Sequence, residues 1–208
     1  MSTSHPPAPA PRRSGRPRDP DVDRRALAAA REVYGERGWT GLSLEEVARR
    51  SAIGKGSLYL RWPTRAALLV AAVRDRARFV ADIDTGSLRE DLVTFAEQWA
   101  AFAASDDGRL VERLLVDAHR VPEIRSALTE DAYPEHVRGA RAMVRRGIDR
   151  AELPAGTSVA LVADLVAGAV RNHVATTPAH LAAGDDPHAY AVAVVDTVLA
   201  GVRAQGRP

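Results

Sequence analysis

Ser43-Leu44-Glu45-Glu46-Val47-Ala48-Arg49-Arg50-Ser51-Ala52-Ile53-Gly54-Lys55-Gly56-Ser57-Leu58-Tyr59-Leu60-Arg61-Trp62 carries the strongest local signals in the chain. Ser43 followed three residues later by Glu46 is a capping box, which opens a helix by satisfying its first free N–H groups. That helix is expected to run to about Ser51 and to bury Leu44, Val47 and Ala48. Ala52-Ile53-Gly54 makes a three-residue turn, with Ile53 as its apolar plug, and Lys55 to Arg61 forms a second short helix. Leu58 and Trp62 anchor this second helix from behind. Two short helices joined by such a turn are the parts of a helix-turn-helix. Packing on the Leu58 side leaves Lys55, Gly56, Ser57, Tyr59, Leu60 and Arg61 toward solvent or a nucleic-acid groove. Their donors suit phosphates and base edges, and Gly56 lets a partner approach the backbone closely.

Working outward, Asp19-Pro20 is a helix start, with Asp as cap and Pro in the first turn. Val22, Ala26, Ala29, Ala30, Val33 and Tyr34 follow at helical spacing, and Gly38 supplies the stop. Pro63-Thr64 marks the next break, with Thr64 capping a long helix to about Ala81. Beyond a Gly-containing loop, helices are predicted near 88–104, 109–119, 122–132, 134–151, 157–176 and 187–204, separated by Pro and Gly clusters. No segment sustains the alternation of a strand. The expected fold is all-α: an N-terminal three-helix helix-turn-helix DNA-binding domain joined to a larger helical body. Residues 1–18 read as a disordered basic arm, 19–81 as the DNA-binding domain with its connecting helix, and 82–208 as the body.

Composition agrees with that layout. The 208 residues include no cysteine, which excludes a disulfide framework and fits a reducing compartment. The first twenty residues hold Arg12, Arg13, Arg16 and Arg18 but no apolar stretch, unlike a secretory signal. Ala66–Val73 is too short to span a bilayer and Asp164 interrupts Val159–Val170, so a soluble, cytoplasmic protein is expected. Residues 1–65 carry 13 Arg/Lys against 7 Asp/Glu, whereas the remainder carries 16 against 20. A basic end on an acidic body suits a polyanion, although chance scatter gives the same layout. Every basic residue is arginine except Lys55, which falls in the second helix of the motif.

A family resemblance enters at Ile53-Gly54-Lys55-Gly56-Ser57-Leu58-Tyr59-Leu60-Arg61-Trp62-Pro63-Thr64-Arg65. This run resembles the TetR-family signature Val-Ser-Lys-Gly-Thr-Leu-Tyr, two variable residues, Phe-Pro-Ser-Lys. Glu36 to Ser43 resembles that family's link between the first two helices, and the likeness covers roughly residues 16–72. The resemblance implies a homodimeric, ligand-responsive transcriptional regulator, its larger helical domain serving ligand binding and dimerisation, a repressor that a small-molecule inducer releases from double-stranded operator DNA. It further implies that Lys55, Ser57 and Tyr59 contact phosphates or base edges, and that Thr40, Ser43 and Arg65 contact the DNA backbone. Competing roles remain: a core aromatic for Tyr59, a pure helix cap for Ser43, solvated charges for Lys55 and Arg61. Three residues depart from the pattern: Gly54 replaces a Ser cap, Ala52 a frequent turn Gly, and Trp62 a Phe. Gly15-Arg16-Pro17-Arg18 resembles the core of a minor-groove AT-hook; a solvated basic tail is the alternative.

In the body, the histidines are scattered without metal spacing, and neither a phosphate loop nor a nucleophile elbow is present in the sequence. No enzyme activity, cofactor or metal is expected. Phe95, Trp99 and Phe102 recur at helical spacing, with Phe79 and Leu92 nearby, either as core or as the wall of the inducer pocket that the resemblance implies. Arg113, His119, His136, Asn172 and His173 interrupt apolar helices and are candidate ligand partners, or else satisfied or surface side chains. Residues 159–174 and 189–202 are apolar on more than one face, with Gly168 and Gly201 permitting close approach. Such helices need cover from two sides. A dimer contact through Val166, Val170, Val195 and Val198 is expected, the alternative being a large monomeric core. A helical protein-interaction module is a rival function, but a membrane-facing helix would carry an apolar moment beside its charges.

Overall fold

The structure is a computed structural model and describes residues 20–76, 83–129, 135–177 and 186–205. Among them ten helices and no strand occur. They are α1 (Pro20–Gly41), α2 (Leu44–Ser51), α3 (Lys55–Tyr59), α4 (Arg65–Arg76) and α5 (Leu88–Ala104), then α6 (Asp106–Ala118), α7 (Pro122–Thr129), α8 (Glu135–Asp149), α9 (Val159–Thr176) and α10 (Pro187–Gln205). Short polar side chains set several starts. The hydroxyls of Ser43, Thr64, Ser105 and Ser158 accept the N–H of Glu46, Ala67, Gly108 and Leu161, occupying donors that a helix leaves free in its first turn. Gly38 breaks α1 at φ 65°, a left-handed backbone that glycine adopts without Cβ strain. The other half of the capping box differs from expectation. The Glu46 carboxylate takes Arg49 at 2.6 Å and Arg37 at 3.3 Å instead of reaching back to Ser43.

Two apolar cores result. The first joins Ala26, Ala30, Val33 and Tyr34 of α1 to Val47, Ile53, Leu58, Leu68 and Leu69, and so fixes the angle between α2 and α3. Leu114 of α6 and Ile124 of α7 belong to it, so the body docks on the N-terminal unit through these two helices. The second core is a bundle of α5, α8, α9 and α10, centred on Leu92, Phe95, Met143, Val162 and Leu199. Val166, Val170 and Val195 are 0%, 1% and 0% exposed within this second core, and Val198 packs against it. That corrects the expected dimer contact for Val166, Val170 and Val195, which point into their own chain; Val198 is partly buried beside them. The outward side of α9 instead carries Leu161 and Leu165, 49% and 45% exposed. By length and composition alone α9 is apolar enough to cross a membrane, with a mean hydropathy of 1.2. Its inward face serves the bundle.

Candidate nucleic-acid interface and ligand cavity

The α2–turn–α3 unit is held from within. Leu58 is fully buried and Ile53 is 7% exposed, so the rear of α3 is anchored by side chains each worth about 1.5–3 kcal/mol on burial. Ala52 makes the turn at φ 54°, ψ 37°, a left-handed conformation where a Cβ is strained. Gly54 starts α3 without a side-chain cap. Packing at the rear presents Lys55, Gly56, Tyr59 and Leu60 at the front, all exposed, as is Thr40 at the end of α1. Tyr59 is 46% exposed and therefore not a core aromatic.

The polar groups of this face are paired with one another. Lys55 Nζ lies 3.5 Å from Glu45, and the Tyr59 hydroxyl donates to the same carboxylate at 3.4 Å. Lys55 and the Tyr59 hydroxyl help hold the Glu45 carboxyl below its ordinary pKa, behind a larger backbone hydrogen bond. Arg61 departs from its expected outward position. Its Nε donates to Asp23 of α1 at 2.6 Å and its Nη1 to the Ser57 hydroxyl at 2.7 Å, leaving the side chain 15% exposed. Arg61 therefore clamps α3 to α1, and Ser57 supports the clamp. Arg65 donates to the Leu42 and Trp39 carbonyls at 3.0 and 3.3 Å, with its guanidinium 4.0 Å from the Trp39 ring centroid. It ties the start of α4 to the α1–α2 link. Arg16 and Arg18 lie outside the described residues.

A cavity of about 630 Å³ opens in the body between α5, α6, α9 and α10. Its α5 wall is a stripe of small residues, Ala96, Ala100, Ala103 and Ala104, at helical spacing. Tyr190 of α10 stacks on His173 of α9 with ring centroids 3.8 Å apart, and both line the cavity. Its four charged side chains have partners: Glu112 with Arg171 at 3.6 Å, Glu97 with His188 Nδ1 at 2.6 Å, and Arg109 with Asp106 at 2.5 Å. Phe95, Trp99 and Phe102 are absent from the lining. They stack on one another with centroids 6.4 and 5.8 Å apart, and Trp99 Nε1 donates to the Ala167 carbonyl. The aromatic stripe is core, because its face of α5 turns into the bundle.

Of the polar ligand candidates whose side chains are described, only His173 reaches the cavity. Asn172 points outward, and His119 is exposed at the end of α6. The side chain of His136 lies outside the described residues. Arg113 sits at the junction with α1, donating to the Gly35 and Tyr34 carbonyls at 3.1 and 3.3 Å. There Tyr34 donates to Asp117 of α6 at 2.7 Å, and burial, reinforced by this carboxylate, pushes the phenol pKa up. Arg31 is 8% exposed and donates to the Ala72 carbonyl at 2.8 Å, with Asp107 of α6 at 3.9 Å. Residues that the sequence reading missed are the alanine stripe, Glu97, Arg109, Glu112, Arg171 and Tyr190. The one available signal was Ala at i, i+4, i+7 and i+8 along α5, beside the more conspicuous aromatics.

An exposed, capped helix-turn-helix on an all-helical body defines a DNA-binding regulator. The chain belongs to the TetR family. Residues 26–72 match the family model for bacterial regulatory proteins of the tetR family, and residues 82–198 match that for the tetracyclin repressor-like C-terminal domain. The HTH-type transcriptional regulator AqdR of Rhodococcus erythropolis is 31% identical over 151 residues, covering 72% of each chain. Among solved structures, GusR of Salmonella enterica superposes with a TM-score of 0.68 at 20% identity, over 88% of this chain and 95% of that one. FadR of Bacillus subtilis, solved in complex with stearoyl-CoA, gives 0.62 at 18% identity, over 86% and 98%.

Proposed function

We propose that this TetR-family regulator is a homodimeric repressor that leaves its operator when a largely apolar small molecule enters the cavity between α5, α6, α9 and α10. The observation that carries the reading is the placement of α6. Arg109 and Glu112 of α6 line the cavity, while Leu110, Leu114 and Asp117 on its other side are set into the N-terminal core and against Tyr34. A ligand that displaces α6 thus acts on the helix that α1 leans against. Such coupling needs the ligand to bind one arrangement more tightly than the other.

The wall of alanines, Val170 and Val174 favours an apolar body, and the paired charges leave little reason for a highly charged one. FadR, with the same fold, was captured with an acyl-CoA. Dimerisation rests on the outward face of α9, where Leu161 and Leu165 lie one turn apart, and on Gly168 and Gly201, at which an added Cβ would meet nothing within the protomer. DNA contact rests on Thr40, Ser43, Lys55, Gly56, Tyr59 and Leu60.

A thermal-shift screen of apolar and amphipathic compounds, followed by operator titration with each hit, tests the proposal. Compounds that raise the melting temperature should weaken operator binding, because they bind only the released arrangement. Hits that stabilise the protein and leave operator affinity unchanged contradict it.

A further inference from the structure

Leu60 is 87% exposed, the most exposed large apolar side chain among the described residues. It closes α3 in helical conformation, and its N–H donates to the Gly56 carbonyl at 3.1 Å. Residues at i and i+4 share a helix face, so Leu60 stands one turn beyond the bare backbone of Gly56. An added Cβ at Gly56 would meet nothing within 4 Å. Beside them, Arg61 is held on Asp23 and Ser57, while Lys55 and Tyr59 lie 3.5 and 3.4 Å from Glu45 in an exposed pairing that a backbone phosphate can replace, which suits them to phosphate rather than to base edges. The Gly56–Leu60 face thus offers a groove apolar surface rather than a donor fork. In the DNA major groove the apolar feature of a base edge is the C5-methyl group of thymine.

We infer that Leu60 reads a thymine methyl in each operator half-site. This rests on α3 being the helix that enters the major groove, and it names what that helix selects. Covering one methyl group is worth about a fourfold change in affinity. A dimer on a two-fold operator makes the contact twice, so removing both methyls multiplies the loss to roughly fifteenfold.

The test begins with duplexes enriched from a random-sequence pool by the full chain. Each thymine of the enriched half-sites is then replaced by deoxyuridine, symmetrically and one position at a time. The wild-type protein should lose roughly fifteenfold at one position. L60A should bind the thymine duplex more weakly and be indifferent to deoxyuridine there. Its salt dependence should be unchanged, since no charge is lost. Circular dichroism and light scattering establish that L60A is folded and has the wild-type oligomeric state. An enriched sequence whose affinity responds to no deoxyuridine, or responds equally in L60A, overturns the inference and leaves the DNA-binding reading intact. An L60A variant that becomes monomeric assigns Leu60 to a protein contact and also overturns it. Failure to enrich any sequence overturns both.

Discussion

Replacing Leu161 and Leu165 together by aspartate should separate the chain into monomers without unfolding it. Both side chains are about half exposed in the protomer, at 49% and 45%. A leucine side chain gains about 1.5–3 kcal/mol on full burial, so covering the exposed half gains roughly 0.7–1.5 kcal/mol. In a two-fold contact each leucine occurs twice, which brings the four to about 3–6 kcal/mol. Losing that amount weakens the dimer by about two to four orders of magnitude. The fold should persist, because aspartate on a solvent-facing helix position costs only some tenths of a kcal/mol in propensity, roughly 0.7 at most. Val195→Asp offers the contrast: it places a carboxylate at a fully buried position of the bundle and should unfold the body rather than split a dimer. The assay is light scattering with circular dichroism, alongside titration of operator DNA. Two recognition helices must reach successive major grooves, so the monomer should lose specific binding. A double variant that remains dimeric, or a monomer with full operator affinity, refutes the reasoning.

Three further substitutions probe the helix-turn-helix itself. Ala52→Gly relieves the left-handed Cβ at φ 54° and should stabilise the protein by about 0.5–1 kcal/mol, read as a rise of a few degrees in Tm; a fall in Tm would show that the turn does not hold this conformation. Gly56→Ala should raise Tm, because the added Cβ meets nothing and Ala favours helix by about 0.5–1 kcal/mol, yet should weaken DNA binding. Equal or better DNA binding by Gly56→Ala would remove Gly56 from the interface. Lys55→Ala should flatten the plot of log affinity against log salt by roughly 0.9 for each half-site, about 1.8 for the dimer, and an unchanged slope would exclude a phosphate contact at Lys55.

Where a signal is local, the sequence carried it. Ser43, Thr64 and Gly38 punctuate helices through bonds within a few residues, so α2, its turn and the start of α4 were readable, as was the inward position of Leu58. What depended on distant partners was not. The Arg61 clamp joins residues 38 positions apart, and nothing near Arg61 announces Asp23. In α9 and α10 apolar residues occupy several faces, so periodicity does not say which face turns inward; of the valines expected at a dimer contact, Val166, Val170 and Val195 are core and Val198 packs partly buried against it. The cavity was hidden for the opposite reason, since alanines make room by being small, whereas the aromatic residues that draw attention fill the bundle.

Affinity of the full chain for the DNA flanking its own gene, measured by fluorescence anisotropy at physiological salt beside a scrambled duplex of equal length, decides whether this is an operator-binding regulator. Binding to the flanking DNA as a dimer, roughly a thousandfold or more tighter than to the scramble, is the predicted result. Equal affinity for both duplexes would contradict it.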